Sequence, residues 1–210
     1  MNTPSLGLYV AASLALIATP GQDMIYVITR SLAQGRFAGI CSAIGVCIGI
    51  LVHTALAALG VGAILHASET LFVALKLAGA AYLVYLGLRM LLSRDSRTGI
   101  GAAGDRLSPA ALIRQGVLSN VTNPKIVLFF FAFLPQFVDP SSGHPTRDLA
   151  FLGVLYALLA LPVKAGVGIA AGSFSERILR NPSMVTWMNR VSGGVLVALG
   201  LRLAAAERSL

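Results

Sequence analysis

The chain has 210 residues and a mass of 21.8 kDa; 56% of it is hydrophobic, only 11% is charged, and its mean hydropathy is +0.81. Soluble domains carry roughly a quarter charged residues, so this composition excludes a water-soluble enzyme, a disordered chain and most nucleic-acid binders, and leaves a polytopic membrane protein. The net charge of +8 belongs to basic residues that punctuate apolar runs, and is read against a lipid bilayer rather than as a nucleic-acid footprint.

A spanning helix needs about 20 mostly apolar residues, and six such stretches follow in order: 6–33, 40–65, 71–92, 112–138, 149–172 and 188–206. All are expected to be helical, because an open strand edge leaves unpaired backbone groups in lipid. The first begins without a basic flank, which argues against a cleaved signal peptide. It is broken at Thr19-Pro20-Gly21-Gln22-Asp23. Here Thr19 fits a helix N-cap, Pro20 the first helical position and Gln22 the partner of a capping box, so a second half-helix is expected to start at the break. Asp23 then lies in a first turn, where a carboxylate suits the helix dipole; it is either a capping charge or a functional one.

The second stretch holds Gly45 and Gly49 at the spacing that lets helix backbones approach in lipid. It also carries His53, either a proton relay or a neutral imidazole bonded to a neighbouring helix. Cys41 and Cys47 share this stretch roughly 240° apart around the helix, which disfavours their pairing and leaves the redox compartment undetermined. The third stretch ends in Arg89, and the glycine-containing segment 93–108 reads as a flexible linker between a first unit, 1–92, and a second, 109–210.

The fourth stretch is broken in turn at Asn123-Pro124-Lys125, again an N-cap followed by proline at the first helical position. Lys125 opposes the dipole there. Burying it costs at least about 2.5–3.5 kcal/mol on insertion scales, so it requires a pairing with Asp23, a substrate carboxylate, or loss of its proton. The fifth stretch carries Gly168 and Gly172, and Lys164 two residues after Pro162, where its ammonium can donate to a carbonyl freed by the proline. The three lysines all fall within predicted spans, whereas the thirteen arginines sit at loops and span ends. The glycine pairs serve either packing within the chain or a homodimer.

The sixth stretch repeats the third: Gly79 to Arg89 aligns without a gap on Ser192 to Arg202, with Leu83/Leu196, Val84/Val197, Leu86/Leu199, Gly87/Gly200, Leu88/Leu201 and Arg89/Arg202 identical. Two units of three helices each enter the membrane from opposite sides. The expected fold is therefore an all-α membrane protein of six transmembrane helices in two inverted three-helix repeats, with broken first and fourth helices and a site near the midplane, as in secondary transporters. Placing both termini outside puts ten arginines on the cytoplasmic side and three on the other, the arrangement the positive-inside rule favours.

Several separated blocks, in the right order along nearly the whole chain, resemble the LysE/RhtB family of amino-acid exporters. They are Ala18-Thr-Pro-Gly-Gln-Asp23, the spaced glycines from Gly35 to Gly49, Lys76-Leu-Ala-Gly-Ala-Ala-Tyr-Leu-Val-Tyr-Leu-Gly87, and Gly116-Val-Leu-Ser-Asn-Val-Thr-Asn-Pro-Lys125 leading to Phe133-Leu-Pro-Gln-Phe137. The resemblance implies a bacterial inner-membrane, multi-pass protein that expels amino acids or close derivatives, in exchange for protons. Gln22 stands where the family commonly has a second proline. The implied partners are an amino acid, a proton and the bilayer, with no nucleic acid and no cofactor. The expected site comprises Thr19, Pro20, Gly21, Gln22, Asp23, Asn123, Pro124 and Lys125, with His53 and Lys164 as secondary positions. The substrate carboxylate is expected beside Lys125 and its ammonium near Asp23, and the lysine-rich interior favours neutral cargo. Rival readings are a divalent-metal exporter, which needs more ligand side chains than three scattered histidines, and a structural or assembly protein, which does not need buried charges. A thiol oxidoreductase would need cysteines brought together from different helices or in a C-x-x-C arrangement.

Overall fold

A computed structural model describes residues 3–61, 69–92, 106–138, 143–173 and 182–205. No strand occurs among the described residues. Residues 93–105 of the expected linker 93–108 lie outside them, as do 62–65 and 206 at the ends of two predicted spans. In chain order the helices are α1 (Thr3–Ala18), α2 (Gln22–Gln34), α3 (Arg36–Leu56), α4 (Glu69–Leu92), α5 (Pro109–Val121), α6 (Pro124–Leu128), α7 (Pro145–Ser173) and α8 (Pro182–Ala205). A turn of π-helix, Ala57–Val61, prolongs α3; another, Phe129–Phe133, prolongs α6 and passes into a 3-10 turn, Leu134–Phe137. Pro135 has no N–H to offer the carbonyl four residues back, and the helix widens just before it.

Among the described residues two helices are long and apolar enough to cross a membrane, those spanning Arg36–Gly60 and Pro145–Ser173, and there are up to four crossings if each bent pair counts as one. The bends fall where proline and the caps interrupt the helical ladder. Leu6–Ala18 meets Gln22–Gln34 at 49°, and Pro109–Val121 meets Pro124–Phe137 at 54°. Both expected breaks are therefore present, although the first starts its second arm later than expected. Gly21, extended at φ −159° and ψ −171°, is the N-cap of α2, with no side-chain cap. The Thr19 hydroxyl turns back to donate to the Ala15 carbonyl at 2.8 Å, closing α1 rather than opening α2, so the capping box does not form. The second break follows expectation: Asn123 Oδ1 accepts the Lys125 N–H at 3.0 Å, with Pro124 at the first helical position.

Lipid tails give apolar helices no hydrophobic reason to associate, so close backbone contact must hold them. α3 lies at the centre, against α5, α7 and α2. Where it meets α5, a Cβ on Gly116 would lie 2.7 Å from the Ser42 carbonyl oxygen; one on Gly49 would lie 2.6 Å from Asn120 Cβ. Where it crosses α7, Gly39 and Gly168 bring the two backbones together, and Gly172 closes on Arg36. The paired glycines of the second and fifth stretches are thus engaged within the chain. α4 runs antiparallel along α8, Gly87 against Gly193 and Ala80 against Gly200.

This packing predicts a contrast between two glycines one helical half-turn apart on α7. A Cβ on Gly168 would sit 3.0 Å from the Gly39 carbonyl carbon, whereas one on Gly166 meets nothing within 4 Å. Gly168→Val should force α3 and α7 apart and destabilise the purified protein by about 1–3 kcal/mol, read as a lowered melting temperature in detergent. Gly166→Val should leave melting unchanged.

Candidate functional site

The two breaks meet. Lys125, one residue past Pro124, reaches across to the end of α1, where its ammonium donates to the Leu16 carbonyl at 3.2 Å and the Thr19 carbonyl at 3.0 Å. The last carbonyls of a helix lack intrahelical donors and carry the negative end of its dipole. The cation that opposes the dipole of its own short helix is therefore held by the C-terminal end of another. Gly21 makes room for it, since a Cβ there would lie 3.2 Å from Lys125 Nζ. Of the compensations expected from sequence, pairing with Asp23 is not the one found.

The buried partner of Asp23 is Lys164. Its ammonium lies 3.7 Å from Asp23 Oδ2, with the two side chains 3% and 2% exposed. Asp23 sits in the first turn of α2 and Lys164 in α7 beyond Pro162, so the pair ties these helices through the interior. The expected donation of Lys164 to a carbonyl freed by Pro162 gives way to this ion pair.

The same carboxylate oxygen, Oδ2, accepts a hydrogen bond from Asn120 Nδ2 at 2.8 Å. Asn120 is not among the positions expected from sequence; its readable signal was a carboxamide inside the predicted span 112–138, three residues before the Asn123 cap, and in the fold it is fully buried. The Asn120 backbone carbonyl lies 3.3 Å from His53 Nε2, a contact between α3 and α5. A carbonyl only accepts, so a hydrogen bond in this contact is donated by Nε2. The ring stacks near Phe130, with centroids 5.8 Å apart.

The remaining expected positions are distributed around this centre. Gln22 is exposed and its Nε2 donates to Thr122 Oγ1 at 3.3 Å, joining the start of α2 to the end of α5. Thr19 and Asn123 are buried, Pro20 and Gly21 partly buried, and Pro124 exposed. Several buried polar atoms have no hydrogen-bond partner, among them Asp23 Oδ1, His53 Nδ1, Asn120 Oδ1 and Asn123 Nδ2. In a protein interior such groups are costly unless something else satisfies them. Carboxylate, ammonium, amide and imidazole together suit a small zwitterion.

The surroundings differ on the two sides of the centre. Tyr9, Phe129, Phe130, Phe133, Phe137 and Tyr156 pack ring against ring beyond the Lys125 turn, and the Tyr9 hydroxyl donates to the Leu152 carbonyl at 2.6 Å. Along α2 the ties are polar. The Tyr26 hydroxyl donates to the Leu112 carbonyl at 2.6 Å, Arg30 to Gln115 Oε1 at 3.0 Å, and the Ser31 hydroxyl to the Gly168 carbonyl.

Comparison with known proteins bears on the whole chain. The family described as LysE type translocator matches residues 14–207. The chain is 33% identical over 199 residues to an uncharacterized membrane protein of Vibrio cholerae, covering 95% of this chain and 96% of that one. It is 28% identical to a leucine efflux protein of Enterobacter sp., over 94% of this chain and 93% of that one. It is also 28% identical to the homoserine/homoserine lactone efflux protein of Salmonella typhimurium, over 96% of each. No solved structure matches.

Proposed function

The chain belongs to the family of LysE type translocators, and we propose that it is a secondary transporter exporting amino acids or close derivatives across the bacterial inner membrane by proton antiport. The observation that carries this reading is the meeting of the two helix breaks around buried Asp23, Lys164, Asn120 and Lys125. A merely structural membrane bundle has no use for so many polar groups away from water. The names of the leucine and homoserine efflux relatives favour organic zwitterions over divalent cations as cargo.

In this mechanism the substrate ammonium approaches Asp23 while its carboxylate competes with the Leu16 and Thr19 carbonyls for Lys125. The release of Lys125 from the end of α1 loosens the bend at Pro20. Protonation of Asp23 from outside weakens its hold on the ammonium and on Lys164, and resets the carrier. The two halves rock against each other around the breaks.

Six spans in two inverted repeats, with both termini outside and arginines concentrated in the cytoplasm, complete the reading. The packing of α4 on α8 supports it. A Cβ on Gly87 would lie 2.6 Å from the Gly193 carbonyl oxygen, and one on Gly200 2.9 Å from that of Ala80. Under the alignment of 79–89 with 192–202, these are the same contact with the halves exchanged. Equivalent helices packed antiparallel are what oppositely inserted repeats require.

A strain lacking the protein, fed leucine- and homoserine-containing dipeptides, should accumulate the freed amino acid inside, and the purified carrier in liposomes should drive its efflux when a proton gradient is imposed. Unaltered intracellular pools together with liposomes that move no amino acid would refute the reading.

A further inference from the structure

The two oxygens of the Asp23 carboxylate are not equivalent. Oδ2 takes both neighbours, the Asn120 amide at 2.8 Å and the Lys164 ammonium at 3.7 Å. Oδ1 is buried and has no hydrogen-bond partner. Three helices fix this asymmetry. Asp23 stands on α2 and Lys164 on α7, while Asn120 stands on α5 with its side chain laid against α3 at Gly49, where a Cβ would come within 2.6 Å of Asn120 Cβ and 2.9 Å of its Oδ1. The absence of a side chain at Gly49 is therefore what lets the carboxamide lie beside Asp23. The His53 contact at 3.3 Å restrains the Asn120 backbone from the other end of the same α3 segment.

We propose that Asn120 is a positioning residue for substrate selection: with Lys164 it occupies Oδ2 and turns Oδ1 to receive the ammonium of the transported amino acid. This rests on the amino-acid export reading and adds to it the atom that does the recognising and the residue that aims it. A carboxylate oxygen is a strong acceptor for a charged N–H donor, and a single such bond carries a large share of the discrimination between a molecule that has the donor and one that lacks it. Without Asn120 the carboxylate is free to rotate, both oxygens turn toward Lys164, and the ammonium meets no prepared acceptor. The loss then falls on recognition of the amino group and spares recognition of the rest of the molecule.

The test is counterflow in proteoliposomes loaded with L-leucine or L-homoserine, with uptake measured per folded carrier after gel filtration. Competitors are the amino acid, its deaminated analogue and its N-trimethylated analogue. The wild type should prefer the amino acid over both analogues by at least about tenfold, the scale of one hydrogen bond to a charged group. Asn120→Ala should raise the KM for the amino acid about tenfold with a smaller change in kcat, and bring the three competitors close together. Asn120→Ser, which keeps a hydroxyl donor in the space beside Gly49, should recover part of the preference.

A wild-type carrier that moves the amino acid but does not distinguish it from the trimethylated analogue would overturn the assignment of Oδ1, whatever the variants do. An Asn120→Ala carrier with wild-type preference, or an Asn120→Ser carrier that recovers none of the preference the Ala variant loses, would overturn the role of Asn120 and leave amino-acid export standing. A wild-type carrier that moves none of these compounds would instead refute the export reading on which the proposal rests.

Discussion

Asp23→Asn is expected to stop amino-acid counterflow, lowering it by at least about 100-fold, and to destabilise the protein more than the removal of both members of its ion pair. The Asn side chain keeps the shape of Asp and can still accept from Asn120, so packing is preserved. What changes is charge. Lys164, 3% exposed and 3.7 Å from Asp23 Oδ2, is left as a buried cation with no carboxylate beside it. Orphaning one partner of a buried pair costs about 3–5 kcal/mol, whereas replacing the whole pair by apolar side chains is often neutral. The double variant Asp23→Asn, Lys164→Met should therefore melt close to the wild type in detergent while remaining inactive in liposomes. This combination separates a structural role from a transport role. Recovery of transport in the double variant would show that the carboxylate serves folding alone.

The second large effect is expected at Lys125. Lys125→Met keeps an unbranched side chain, one heavy atom shorter, but withdraws the donor from the Leu16 and Thr19 carbonyls. A buried carbonyl left without a partner costs about 1–3 kcal/mol, so the variant should be less stable by about that much, read as a lowered melting temperature, and counterflow should be lost. Lys125→Arg should fail as well, even though its charge is kept. The ammonium lies where a Cβ on Gly21 would be only 3.2 Å away, and a planar guanidinium is larger and cannot place its donors on both carbonyls from the same point. Gly21→Ala crowds the same spot from the other side and should give a partial loss. Full transport by Lys125→Arg would mean that a positive charge alone is needed and that the cap on α1 is incidental.

The breaks at Pro20 and Pro124 were legible in the chain because their causes are local. A proline removes one N–H and crowds the preceding turn, and an asparagine before it offers an oxygen to the new helix. Asn123 behaves as that rule says. Thr19 does not: its hydroxyl donates to the carbonyl of Ala15, one turn back, and the extended Gly21 opens α2 in its place. Both outcomes were compatible with the same five letters, and the competition between them is settled by backbone geometry that short-range pattern does not carry.

Composition and apolar run length were enough to establish a helical membrane protein and to place buried charges at its interior, since those follow from solvation alone. Partnership between the charges was beyond them. Helical periodicity orders residues along one helix and says nothing of the rotation of one helix against the next. So Lys125 and Lys164 could not be told apart as partners of Asp23, and Asn120, on a helix of its own, could not be connected to α2. It took the approach of α3, α5 and α7, set by glycines 39, 49 and 168, to give Lys164 to the carboxylate and Lys125 to the end of α1. Burial of a charge can be read from its neighbours in the chain, whereas the group that neutralises it is chosen by packing between segments over a hundred residues apart.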